Sequence, residues 1–174
     1  AGGRVFGTLL ESTGDDWDKI LSVNLKGVSF SCKAVLPRMI EQKSGAIVLM
    51  GSTTALTGRT NMPLYDATKF GVLSLTRSLA ATYGKDGIRV NAVSPGLIHT
   101  ALTARIYADP EIKAAREALI PMHRIGAPAP DIAGLVAFLT GPDAGYITGQ
   151  NILADGGLMD AVHGLIAGRP ATER

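Results

Sequence analysis

Three short apolar runs punctuate this chain: AIVLMGS from residue 46, IRVNAVS from 88 and QNILADGG from 150. A strand with one wet face alternates polar and apolar residues. A run that stays apolar is a strand covered on both faces. The stretches between the runs are too long for hairpins and carry apolar residues at helical spacing. Helix, strand, helix, strand, helix, strand predicts an α/β fold, a doubly wound parallel sheet of about three strands with right-handed crossovers. No repeat, low-complexity segment or linker divides the chain, so residues 1–174 read as a single domain.

The first helix is expected from about Ser12 to Gly45. Ser12 or Thr13 can cap it, Asp15 and Asp16 favour its positive end, and Gly45 ends it. Trp17, Ile20, Leu21, Leu25, Val28, Cys32, Val35, Leu36 and Met39 form its buried stripe, and Pro37 can bend its last turns. Pro63 suits the first turn of a second helix running to about Gly84. That helix has Leu64, Thr68, Val72, Leu75 and Leu79 on one side and Phe70, Leu73 and Ala80 on others, which predicts burial by its own sheet and by a partner subunit. Residues 99–125 read as a helical or mobile excursion, followed by a helix at APDIAGLVAFLTG.

Composition excludes several classes. Hydrophobic residues make up 46% and charged residues 18%, and the net charge is +2 with no basic run. That speaks against disorder and against nucleic acid. No apolar stretch approaches a membrane span of about 20 residues, and AGGRVFG is not a signal peptide. The lone Cys32 reads as a buried, inert thiol, and the three histidines show no metal-ligand spacing. A cytoplasmic protein without a metal site is expected.

The chemistry is expected at GSTTALTGRTNMPLYDATKFG, residues 51–71. Tyr65 and Lys69 stand at i and i+4, on one helix face about 6 Å apart along the axis. A phenol of pKa about 10 is a poor acid or base near neutrality. A fixed ammonium beside it favours the phenolate, and a shift of about three units requires about 4 kcal/mol. Ser52, at the end of the first run, is placed to donate a hydrogen bond to the oxygen that Tyr65 protonates. Alone, Y-x-x-x-K reads as a surface pair and Ser52 as a turn residue. Asn24, mid-helix, reads as solvated or as the cap of a kink.

Five segments taken in order carry a resemblance. SVNLKG around Asn24, VLMGSTTAL around Ser52, YDATK at 65–69, NAVSPGLIHT at 91–100 and YITGQNILADGG at 146–157 resemble the short-chain dehydrogenase/reductase family, a Rossmann-like fold. The resemblance implies that Tyr65 is the general acid/base and that Ser52 orients the carbonyl or alcohol. It implies that Lys69 binds the nicotinamide ribose and lowers the Tyr65 pKa, and that Asn24 holds a water in a proton relay through Lys69. Pro95, Gly96, Ile98 and Thr100 match the segment that contacts the nicotinamide end of the cofactor, with Tyr65 and Lys69. Ala1 and Gly2 match the tail of the family's Asn-Asn-Ala-Gly motif, beside the adenosine and its ribose. The implied reaction is hydride transfer between NAD or NADP and a secondary alcohol or ketone, in a homodimer or homotetramer.

One family motif is missing. The phosphate-binding G-x-x-x-G-x-G does not occur: in AGGRVFGTL, Gly3 and Gly7 fit its first step, but Leu9 stands at its last glycine. The chain is therefore expected to be an incomplete fold, the C-terminal part of a longer enzyme, with the strand at 46–50 left as a bare apolar edge. The excursion from His99 to Arg124 would be a substrate lid. It mixes Leu102, Ile106, Tyr107, Ile120 and Met122 with Arg105, Arg116 and His123, which suits a sugar, a steroid or an acyl chain.

Other readings are weaker. A serine hydrolase on Ser52 lacks the G-x-S-x-G elbow. An epimerase of the related extended family would carry a larger C-terminal substrate domain. A catalytically inactive remnant, acting as a dimerisation or structural module, stays open at this point.

Overall fold

The computed structural model describes residues 2–161. Its core is a three-stranded parallel sheet of order β1-β2-β3, with β1 Gly45–Met50, β2 Ile88–Pro95 and β3 Asn151–Ala154. Gly45 pairs with Ile88 and Met50 with Val93, and Ala92 and Pro95 of β2 pair with Asn151 and Ala154 of β3. Helices cover both faces, because each strand is apolar on both. On one face Leu49, Ile88 and Val90 meet Cys32, Leu36, Val72 and Ala80; on the other Val93 meets Ile132, Leu139 and Ala144. Each fully buried aliphatic side chain here contributes about 1.5–3 kcal/mol relative to exposure. Among the described residues no strand pairs with the outer edge of β1, and Met50 at its end is 42% exposed.

The first helix has two parts and a wide turn between them. Helix α1 spans Gly14–Leu21, a π turn spans Ser22–Lys26, and α2 spans Gly27–Gln42. Thr13 is the cap: its hydroxyl accepts from the Asp16 amide, and the Asp16 carboxylate accepts from the Thr13 amide. A π turn holds one residue more than an α turn. The buried stripe therefore changes phase there. Ile20, Asn24, Cys32 and Leu36 are buried, whereas Val35 is 42% exposed, against expectation. The helix also stops earlier than Gly45. Lys43 takes the left-handed conformation (φ 50°) and closes it, while Gly45 opens β1 with Met39 packed where a Cβ would be.

A short helix α3, Thr54–Thr57, precedes α4, Pro63–Tyr83, whose first residue is the proline that needs no amide partner. Leu73 and Ala80, expected on an outward face, are 1% and 7% exposed. They lie seven residues apart, two helical turns, on the side that α4 turns to the sheet. Phe70, at 52% exposed, stays outside. The excursion after β2 contains α5, Ala104–Tyr107, and α6, Pro110–Glu117. Its base is clamped by Arg124, which donates to both oxygens of Asp131 at 2.7 Å. The Arg124 hydrogen bonds, with the Ala127 amide second, pull the Asp131 carboxyl down to about 2. A second π turn, Pro128–Ala133, leads into α7, Gly134–Thr140, on the second sheet face.

Candidate active site

Parallel strands leave a crevice beyond their carboxyl ends, where ligands of such sheets bind. Here β1 ends at Met50 and β2 at Pro95, and a cleft of about 430 Å³ opens directly beyond them. Two close backbone approaches shape its floor. At Gly51 a Cβ would meet the Ser94 hydroxyl, and at Gly96 it would meet Asp155 Cβ at 2.6 Å. Only glycine allows the two strand ends to lie so near their neighbours.

Ser52, Tyr65, Pro95, Gly96, Ile98 and Thr100 all line this cleft. Ser52 accepts from the Thr54 amide at 3.3 Å, and its Oγ lies 3.0 Å from Thr54 Oγ1. When the Thr54 hydroxyl is the donor of that second contact, the Ser52 hydrogen is free to point into the cleft. Thr54 was not foreseen, although a hydroxyl two residues after Ser52 is the spacing of a local side-chain turn. Ile98 is held by its bridge to Gly126, and its carbonyl accepts from Thr103 Oγ1 at 2.8 Å. Thr103 also accepts from the Thr100 amide, which fixes the turn at the mouth.

Lys69 and Asn24 lie behind the wall. Lys69 is buried, donates to the Met50 carbonyl at 2.8 Å and places its Nζ 5.8 Å from the Tyr65 ring centre. Burial, with the charge of Arg4 second, lowers the Lys69 pKa from 10.5. Asn24, in the π turn, accepts from the Gly3 amide at 2.8 Å. It donates to the Gly3 carbonyl at 3.0 Å and to Thr68 Oγ1 at 3.2 Å. Thr68 in turn donates to the Tyr65 carbonyl at 2.7 Å. Asn24 thus braces the helix turn that carries Tyr65 and Lys69, and it makes no direct hydrogen bond to Lys69. Gly71, one turn on, packs its α-carbon side against Leu25 of the π turn.

Gly2 lies near Asn24 but does not line the cleft, and Ala1 falls outside the described residues. The next residues do enter it: Arg4 and Phe6 line the wall, and the Arg4 guanidinium lies 6.0 Å from the Tyr65 ring centre. From the excursion after β2, Leu102, Ile106, Tyr107 and Arg116 reach the cleft, whereas Arg105, Ile120, Met122 and His123 do not. His99 stacks on Tyr107 with ring centres 5.7 Å apart. Among the described residues no three His, Cys, Asp or Glu side chains come together, and no described helix is long and apolar enough to cross a membrane.

A family model described as Enoyl-(Acyl carrier protein) reductase matches residues 1–159. The 3beta-hydroxysteroid dehydrogenase 1 of Eggerthella lenta is 39% identical over 145 residues, 83% of this chain and 55% of its own length. This chain belongs to the short-chain dehydrogenase/reductase family. Another member, dehydrogenase/reductase SDR family member 4 of Bos taurus, is 37% identical over 88% of this chain and 55% of its own length. Among solved structures, a gluconate 5-dehydrogenase from Burkholderia cenocepacia in complex with NADP and tartrate superimposes with a TM-score of 0.88 at 30% identity. That match covers 93% of this chain and 63% of the other. The chain spans about half the length of the curated short-chain dehydrogenase/reductases it matches.

Proposed function

We propose that this chain supplies the alcohol/ketone chemistry of an NAD(P)-dependent oxidoreductase, with Tyr65 as general acid/base. The observation that carries the reading is one arrangement at the carboxyl edge of the sheet. Tyr65 and Ser52 line a single cleft, and the buried Lys69 ammonium, pinned to the Met50 carbonyl, lies behind the phenol.

The donor set suits the nicotinamide end of NAD(P). Two hydroxyls and the half-buried strip Pro95–Ile98 surround one opening with a buried ammonium behind its wall, and a solved relative holds NADP. When bound, NAD(P)H supplies a hydride. Tyr65 would give its proton to the substrate oxygen, where the carbonyl π pair forms the new O–H bond as the carbon is reduced. Ser52 holds the carbonyl oxygen from the other side, and Lys69 stabilises the negative oxygen left on Tyr65. Asn24 contributes by holding Gly3 and Thr68 in place; a water between it and Lys69 would complete a proton path.

Homo-oligomer formation belongs to the same proposal. Phe30, Val35 and Ile40 of α2 and Phe70 of α4 are exposed apolar residues, and Ile40 lines a groove between the two helices. The sequence contains no glycine-rich pyrophosphate cradle, so residues 1–174 by themselves would bind cofactor weakly and turn over poorly.

The test is isotope transfer by the whole protein that contains this chain. With NADPH or NADH deuterated at the transferable position, a reduced ketone should carry deuterium on the new carbinol carbon. Absence of transfer across a broad panel of ketones would sink the reading.

A further inference from the structure

Among the described residues three arginines line the cleft, Arg4 from the N-terminal segment, Arg59 from the loop before α4 and Arg116 from α6, and no aspartate or glutamate does. Among the described residues none of these guanidiniums forms an ion pair or donates a side-chain hydrogen bond. Elsewhere Arg38 pairs with Glu41 and Arg124 with Asp131. The nearest candidate partner, Asp66, spends one oxygen on the backbone amide of Arg59 at 2.7 Å, not on its guanidinium.

Two of the three lie over aromatic rings instead. Arg4 lies over the Tyr65 ring at 6.0 Å, and Arg116 over the Tyr107 ring at 5.7 Å. A guanidinium over a ring with no hydrogen-bond partner keeps its N–H donors free, and their planar fork matches a carboxylate with two parallel hydrogen bonds. Tyr107 is itself 7% exposed, so Arg116 rests on a fixed platform. The same cleft is lined by apolar Phe6, Met62, Leu102 and Ile106. A concentration of one charge in a cleft with apolar walls selects ligands of the opposite charge.

Resting on the oxidoreductase reading above, we propose that the substrate is an anionic carbonyl or alcohol, an oxo or hydroxy acid. Its carboxylate docks on the free edge of Arg4, with Arg59 and Arg116 completing the rim. The carboxylate is a spectator: the carbonyl carbon gains the hydride, its oxygen gains the Tyr65 proton, and the acid group leaves unchanged. The charge of Arg4 also contributes to the lowering of the Lys69 pKa, as an uncompensated cation beside the site should.

Matched probes test this in the whole protein. They are 2-, 3- and 4-oxopentanoate against their methyl esters, with binding followed by calorimetry at low salt and reduction followed with NADPH. The best acid should bind at least about tenfold tighter than its ester, the gap of one charge-assisted contact. The gap should narrow as salt is raised and collapse in the Arg4→Gln/Arg59→Gln variant. Arg4→Lys should restore part of the charge preference and little of the bidentate fit. Esters that bind or turn over as well as the acids would overturn the proposal. So would an acid preference that survives loss of all three arginines, or arginine variants that weaken NADPH and leave the acid-to-ester ratio intact. The acid-to-ester binding ratio needs neither a variant nor turnover. An acid preference without hydride transfer would therefore refute the oxidoreductase reading and leave the anion site standing.

Discussion

Tyr65 and Lys69 differ in what they show to solvent, and the two make separate predictions. In the whole protein Tyr65→Phe keeps the ring under Arg4 and removes only the hydroxyl. Turnover should fall by about 10² or more, because a positioned acid/base contributes at least that much. Cofactor affinity, read by NADPH fluorescence, should barely change, and retention of more than about a tenth of the activity would remove Tyr65 from its role. Lys69 predicts a pH dependence of stability. Its folded-state pKa is lowered from 10.5, by burial first and Arg4 second. Between that lowered value and 10.5 the unfolded chain binds more protons, so stability rises with pH through that window, and the cost of the buried charge is full below it. Urea midpoints should therefore climb with pH in the wild type relative to Lys69→Met. A difference that stays flat across the window would show that the ammonium is not desolvated. Spacing alone placed these two side chains correctly. It could not show that Arg4 covers the phenol or that Thr54 bonds Ser52, because those contacts join residues whose proximity depends on the folded loops.

The elements that hold the site are a helix pair, and Asn24 is the bond between them. Replacing it by alanine leaves the amide and carbonyl of Gly3 and the Thr68 hydroxyl without that partner. Asn24→Ala should cost about 1–3 kcal/mol in urea unfolding, and a loss under about 0.5 kcal/mol would reduce Asn24 to a bystander. The three strands and the long helices were legible because apolar runs and capping residues specify them locally. The π turn was not, since apolar residues on either side of it read as one continuous helical stripe. The side chain that needs the wide turn is Asn24, and its partners Gly3 and Thr68 lie 21 and 44 residues away. Lys43 escaped notice for a related reason: a non-glycine residue closing a helix in the left-handed conformation leaves no mark in composition.

At the scale of the molecule, two properties belong to surfaces that the sequence only hinted at. The groove between α2 and α4, lined by Leu36, Ile40, Leu75 and Leu79, should be covered by a second copy, together with exposed Phe30 and Phe70 on the same two helices. Sedimentation of the whole protein at micromolar concentration should give a dimer or tetramer, and a monomer would count against it. The sequence pointed to Leu73 and Ala80 for this face. They point into the core, and one period of hydrophobicity cannot say which of two apolar sides meets the sheet. Residues 1–174 expressed alone should show no saturable micromolar binding of NADH or NADPH by fluorescence. Losing several charge-assisted hydrogen bonds to the pyrophosphate, each worth about 1.5–3 kcal/mol, takes micromolar binding to the millimolar range. Saturable micromolar binding would mean that other residues of this chain hold the phosphates.

The wide turn at Ser22–Lys26 also says how this stretch of the gene can change in length. A π turn holds one residue more than an α turn, so deleting one of those five residues would let the helix close as an ordinary α-helix. The segments on either side would keep nearly the same facing, and Ile20 and Cys32 would both stay inward. The loss would be local: the wide turn that carries Asn24 to Gly3 and Thr68 would be gone. A deletion inside α2 would instead rotate everything beyond it by about 100°. The extra residue is thus the one length change this helix can shed, and the site would suffer for it.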